Sequence, residues 1–239
     1  MTVRAICLDL DQTLIDDDTA RDLSIKRVAS GLAATHRGYG FEDLFNVYKS
    51  ATAELWPSIA SDFQSGAMTS DEKRLLDWRV TLSQMGCRDE AVLSEAVDAY
   101  IRHRSEIYIL FDDVMPFLTA LPADLPRAIV TNGSAATQWH KLRGSGLALH
   151  VRNVLISGEL GFAKPDPRIF LRACEIMGVS ESEAVHVGDS VTNDVGGARD
   201  AGLTAVWLNR LVATREPEHP VPHHEIASLS ELIALLEQT

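Results

Sequence analysis

Residues 3–9 are apolar almost without interruption (Val3, Ala5, Ile6, Cys7, Leu8), and the run stops at Asp9, with Asp11 two positions later. A short run that is apolar on both faces predicts a strand covered on both sides. From Asp17 to about Ile109 the period changes. Segments 22–36, 41–56, 70–86 and 89–107 repeat apolar residues at spacings of three and four, which predicts a helical insertion of about four antiparallel helices with no strand. Breaks are expected near Gly38–Gly40, Gly66 and Gly86. Pro57 is expected to kink or end the second helix. Ser70 is read as the start of the third, without the acidic partner of a capping box. Trp56, Trp78, Tyr48 and Phe45 fall at helical spacing, which makes them candidate core of this bundle; one of them could instead face a substrate.

From Phe111 the pattern changes again. Short β-branched runs at 127–132, 153–158, 184–189 and 204–209 alternate with helical segments at 135–146, 166–178 and 192–202. A Pro/His-rich loop, 215–224, leads to a last strand and a final helix at 229–238. Both-faced apolar strands joined by helices predict a parallel sheet in an α/β core, interrupted by the helical insertion.

Composition narrows the class. The chain has 239 residues, 46% hydrophobic and 23% charged, with a net charge of −12. That is enough apolar mass for a core. The negative charge argues against nucleic acid and against an anionic membrane surface as partners. No apolar stretch reaches the ~18 residues of a membrane span, and no signal-peptide pattern opens the chain. Cys7, Cys87 and Cys174 are odd in number and lack metal-ligand spacing, so buried thiols in a reduced, cytoplasmic protein are expected.

In an open parallel sheet, ligands bind beyond the carboxyl ends of the strands. Those ends carry Asp9 and Asp11 after the first strand, Thr131 and Asn132 after the second, and Asp189 after the fourth, with Asp194 five residues on. Lys164 precedes Pro165 in a loop within reach of the same edge. Two carboxylates ~4 Å apart repel by roughly 4 kcal/mol at an effective dielectric of 20. Such a cluster either raises its own pKa values or recruits a cation, and oxygen ligands open to phosphate and water favour Mg²⁺. Asp9 is then the candidate nucleophile, and Asp11 the group that protonates a leaving alkoxide and later deprotonates water.

The segments DLDQT (9–13), TNG (131–133), KPDPRIF (164–170) and GDSVTND (188–194) resemble, in order, the four motifs of the haloacid dehalogenase superfamily. The helical block resembles a C1-type cap of its subfamily I. The resemblance implies a Rossmann-like parallel sheet core, residues 1–15 and 111–239, with an inserted α-helical bundle cap domain, residues 16–110. It implies a Mg²⁺-dependent phosphatase acting on a small phosphorylated metabolite through an aspartyl-phosphate on Asp9. Asp11 would be the general acid/base, with its backbone carbonyl toward the metal. Thr131 and Lys164 would bind the phosphoryl group, with Asn132 as a further substrate contact. Asp9, Asp11, Asp189 and Asp194 would form the metal site, Asp194 through a water or by holding Lys164. Position 12 is Gln, where relatives often carry Gly or Asn. The texture of the chain also resembles the branch holding acylneuraminate-9-phosphatases and pyrimidine 5′-nucleotidases.

Other readings stand beside this one. A dehalogenase of the same superfamily needs Asp9 but neither Asp11 nor a metal, and a phosphomutase shares the motifs but differs in its cap. A receiver-like signalling module also carries a phosphorylatable Asp, but it is about half as long and has no helical insertion. Asp194 could cap a helix. His186 is expected to be a satisfied, partly buried histidine, and His219, His223 and His224 a solvated loop. Substrate choice is expected to rest in the cap, whose basic candidates are Arg21, Lys26, Lys49 and Arg79, with hinges near 16–18 and 109–113. A monomer or a homodimer is expected.

Overall fold

The computed structural model describes residues 3–36, 38, 40–65 and 68–237, which divide into two compact units, Met1–Asp17 with Tyr108–Thr239, and Asp18–Ile107. The break expected at Gly66 lies outside the described residues.

The first unit is built on a six-stranded sheet of order β3-β2-β1-β4-β5-β6. Its strands are β1 Ala5–Leu8, β2 Arg127–Thr131, β3 Asn153–Ile156, β4 Ala184–Gly188, β5 Thr204–Leu208 and β6 His224–Ile226. Every neighbouring pair is parallel. β1, β4 and β5 are buried at every position, as the unbroken apolar runs require. Alternate side chains feed two cores. Ile6, Leu8, Ile129, Val185, Val187, Val206 and Leu208 pack with Val114 and Phe117 on one face. Ala5, Cys7, Ala128, Val130, Ala205 and Trp207 pack with Phe170 and Ala173 on the other. The sheet is therefore covered on both faces. Chain order reverses between β1 and β4, and that switch point opens the crevice where ligands bind in such folds.

Residues 157 and 158, read with the third strand, instead begin a helical turn. In chain order the helices are α1 Asp17–Thr35, α2 Phe41–Ser65, α3 Ser70–Gln84, α4 Glu90–Arg104, α5 Val114–Ala120, α6 Ala135–Gly144, α7 Ser157–Leu160, α8 Pro167–Met177, α9 Gly197–Asp200 and α10 Leu229–Glu237. No helix among the described residues is long and apolar enough to cross a membrane. α5 was not among the predicted elements, because seven residues are too few to show a period.

The second unit contains α1 to α4, apart from Asp17 at the head of α1. Its core gathers Ile25, Leu32, Leu44, Tyr48, Trp78, Leu82, Leu93 and Tyr100. Tyr48 and Trp78 lie 4.8 Å apart between ring centroids. Phe45 packs half-buried against this core. Trp56 does not join it; the ring is 38% exposed, with Lys73 over its face. α2 runs on through Pro57 rather than ending there. The carbonyl that loses its donor belongs to Ala53, on an exposed stretch where water can replace the bond. α3 is capped by Thr69, not Ser70. The Thr69 hydroxyl accepts from the Glu72 N–H at 3.2 Å, and the Glu72 carboxylate accepts from the Thr69 N–H at 2.8 Å, which completes the capping box. Three of the basic candidates here already hold acids: Arg21 with Asp18, Lys49 with Asp22 and Arg79 with Glu90. Lys26 sits over the Phe45 ring.

Candidate active site

Asp9 follows β1 directly, and its N–H donates to the Val187 carbonyl of β4 at 2.9 Å, so the sheet ladder itself aims the side chain into the switch-point crevice. The carboxylate is buried, 5% exposed. Lys164 donates from Nζ to Asp9 Oδ1 at 2.5 Å and to Asp194 Oδ1 at 2.6 Å, and it too is buried. One ammonium thus bridges two carboxylates from β1 and from the segment after β4.

Asp194 lies within a π-helical turn, Val191–Gly196. Its Oδ2 accepts the Ser190 N–H at 3.0 Å, and its Oδ1 also accepts from His186 Nε2 at 2.9 Å. It caps no helix; the N-cap of this turn is Ser190, whose hydroxyl accepts from the Asn193 N–H. Gly188 lets Asp194 come this close, because a Cβ at 188 would overlap the Asp194 carboxylate. His186 is fully buried, not partly, and only Nε2 has a partner; Nδ1 has none. Its ring stands edge-on to Phe170 at 4.8 Å.

Charge balance decides the chemistry. Asp9, Asp189 and Asp194 each offer an oxygen, all within 4.8 Å of one another. Burial raises the Asp9 carboxyl well above its usual range; Lys164 opposes that, and Asp194 and Asp189 add to it. Burial, then Asp194, pushes Asp189 up to about 7. Asp194 goes the other way. Its burial is outweighed by Lys164 and His186, which hold it ionised. Burial works against the Lys164 charge, yet Asp194 and Asp9 raise its pKa above the ordinary lysine value. Burial keeps His186 neutral, with its pKa lowered despite Asp194. Three carboxylates around one ammonium leave negative charge uncompensated. An all-oxygen set with unmet charge fits a hard divalent cation.

Thr131 ends β2, and its buried hydroxyl accepts from Gln138 Nε2 at 2.7 Å. Asn132 is engaged with the backbone of the Lys164 loop. Its Oδ1 accepts the Lys164 N–H at 2.8 Å, and its Nδ2 donates to the Lys164 carbonyl at 2.9 Å. It therefore fixes the lysine and has one amide hydrogen left for anything else. Asp11 turns from Asp9 toward α6. Its Oδ1 accepts from Lys141 at 2.7 Å and its Oδ2 from Gln138 at 3.1 Å. Gln138, Lys141 and the His186–Asp194 bond were not among the predicted site groups. Elsewhere, His223 Nδ1 accepts the Ala205 N–H at the sheet edge, and no second acidic or histidine cluster able to hold a metal occurs among the described residues.

Comparison with known proteins places this arrangement. The haloacid dehalogenase-like hydrolase family matches residues 3–202. The chain belongs to that family. It is 35% identical over 233 residues to phosphoserine phosphatase of Thermus thermophilus, covering 90% of this chain and 92% of the relative. It is 29% identical to mouse N-acylneuraminate-9-phosphatase, covering 98% and 94%. The fold matches the HAD-hydrolase YfnB of Bacillus subtilis, solved bound to magnesium, with a TM-score of 0.78, 28% identity and 99% of both chains covered.

Proposed function

We propose that this hydrolase is a Mg²⁺-dependent phosphomonoesterase that cleaves a small phosphorylated metabolite through an aspartyl-phosphate on Asp9. The observation that carries the reading is the buried Asp9–Lys164–Asp194 bridge with Asp189 beside it, at the carboxyl edge of the sheet. The names of the phosphatase relatives support it.

An oxygen of Asp9 bonds to phosphorus as the bond to the leaving oxygen breaks, and Asp11 gives that oxygen its proton. The Asp11 carboxylate then takes a proton from water, whose oxygen bonds to phosphorus and releases Asp9. The products are an alcohol and inorganic phosphate. Lys164 opposes the burial that favours a protonated Asp9, and it faces the phosphoryl oxygens together with the Thr131 hydroxyl. Asp9, Asp189 and the Asp11 carbonyl would hold Mg²⁺, which supplies positive charge against the phosphoryl oxygens when bound. Asp194, already spent on Lys164, His186 and Ser190, would act by holding the lysine. The helical unit is assigned the role of the cap that sets leaving-group choice. A cytoplasmic setting fits the three free cysteines.

The test is turnover of p-nitrophenyl phosphate. The wild type is expected to need Mg²⁺, to fall silent in EDTA and to recover when Mg²⁺ is restored. Asp9→Asn is expected to remove turnover while leaving the fold intact. Full activity in chelator, or in the variant, overturns the reading. A panel containing phosphoserine, an acylneuraminate 9-phosphate and pyrimidine nucleoside monophosphates then names the leaving group.

A further inference from the structure

α6 carries two polar side chains one turn apart that are almost wholly buried: Gln138, 1% exposed, and Lys141, 9% exposed. Burying such groups is costly unless they are partnered, the charged one more than the neutral one, and their partners are specific. The two amide hydrogens of Gln138 go to different elements of the site, one to Thr131 Oγ1 at 2.7 Å and one to Asp11 Oδ2 at 3.1 Å. Lys141 Nζ reaches Asp11 Oδ1 at 2.7 Å and Asp17 Oδ1 at 2.9 Å. Burial works against the Lys141 charge, but Asp11 and Asp17 together raise its pKa above the ordinary value. It therefore remains a cation. Both oxygens of Asp11 are thus gripped from one helix face.

We propose that Gln138 and Lys141 are positioning residues that fix the plane of the Asp11 carboxyl for proton transfer to the leaving oxygen. Through its second hydrogen, Gln138 ties that plane to the Thr131 hydroxyl. A carboxyl oxygen has two lone-pair sites, so Oδ2 can accept from Gln138 and still carry the proton it gives away. In the same way, the bond that Thr131 accepts fills one of its lone pairs, so the hydroxyl proton, which here makes a long 3.4 Å bond to the Asn132 carbonyl, is the one that turns to a phosphoryl oxygen. The inference rests on the reading of Asp11 as acid/base.

Leaving groups separate this role from a structural one. An alkoxide needs a proton as it departs; p-nitrophenolate does not. The ratio of kcat/KM on an alkyl phosphate to that on p-nitrophenyl phosphate therefore reports the aim of Asp11, since kcat/KM covers events up to the first irreversible step. Lys141→Met keeps the unbranched apolar stem and removes the donor. It is expected to lower that ratio about tenfold or more, a share of the 10²–10⁴ that a positioned acid supplies. Gln138→Met is expected to lower both rates, the alkyl one further. In an Asp11→Asn background, Lys141→Met is expected to add almost nothing, because residues that act as a unit are not additive.

Equal losses on both esters, or a full additional loss in the Asp11→Asn background, would overturn the proposal. Circular dichroism shows whether each variant has folded, and either substitution alone suffices for the ratio. A wild type that turns over neither kind of ester would instead sink the phosphatase reading itself.

Discussion

Gln12 holds the backbone at φ +60°, a left-handed conformation that a side chain rarely adopts. Its N–H donates to the Ile15 carbonyl at 2.7 Å, and the N–H groups of Leu14 and Ile15 both return to Leu10, so the chain turns tightly just past the two catalytic candidates. The preference for Gly or Asn that the resemblance implies at position 12 thereby acquires a conformational reason. Gln12→Val puts a β-branched side chain into this region and should cost about 1–2 kcal/mol in urea unfolding; unchanged stability would show that the turn relaxes. At this scale, Asp9, Lys164, Asp189 and Asp194 were legible because each stands at a strand end or in a motif. Gln138 and Lys141 were not. They meet Asp11 across 127 and 130 residues of chain, and no local period reports such a contact. His186 looked like an ordinary core residue because its strand neighbours Val185 and Val187 are apolar, while the partner that makes it matter lies eight residues on.

Elements carry these residues into register. β1 and β4 pair from Ala5↔Ala184 to Leu8↔Val187, which fixes Asp9 against the segment that follows β4. β4 ends at Gly188, where the Asp194 carboxylate fills the space a Cβ would need. Gly188→Ala is therefore expected to displace Asp194, loosen its hold on Lys164 and lower turnover about 10²-fold, the scale on which a 1 Å misplacement acts. A variant with wild-type kcat would mean that Asp194 does not position Lys164. Strand positions and helix existence were readable from apolar runs and from spacings of three and four. Helix ends were less so. The third helix starts at Ser70, as its period indicates, but its cap is the residue before, and seeking the box from Ser70 hides the Thr69–Glu72 pair. Thr69→Ala should cost about 1 kcal/mol of stability by thermal or urea unfolding, and an effect near zero would deny the box a role.

The whole molecule joins a sheet unit whose site is rich in acid to a helical unit with its own core, in a chain of net charge −12. Asp189, lifted to about 7 by burial and then by Asp194, links that site to global stability. A carboxyl whose folded pKa lies above its unfolded value of about 4 contributes stability that is complete below that value and lost as pH rises through the folded one. Asp189→Asn is therefore expected to make the Tm of metal-free protein fall less, or rise more, than that of wild type between about pH 4 and pH 7, with the lowered pKa of buried His186 acting in the opposite sense in both. Stabilisation by added Mg²⁺ should grow across the same window, because the ion binds ionised carboxylates. An Asp189→Asn Tm that follows pH as the wild type does, or Mg²⁺ stabilisation that falls as pH rises, would contradict this. The nucleophile is tested most directly by acid-quenching the enzyme during turnover of a phosphomonoester with Mg²⁺ and mapping the phosphoryl group by peptide mass. One phosphoryl group on the peptide containing Asp9, absent from Asp9→Asn, is the result expected. Label on another residue would contradict it.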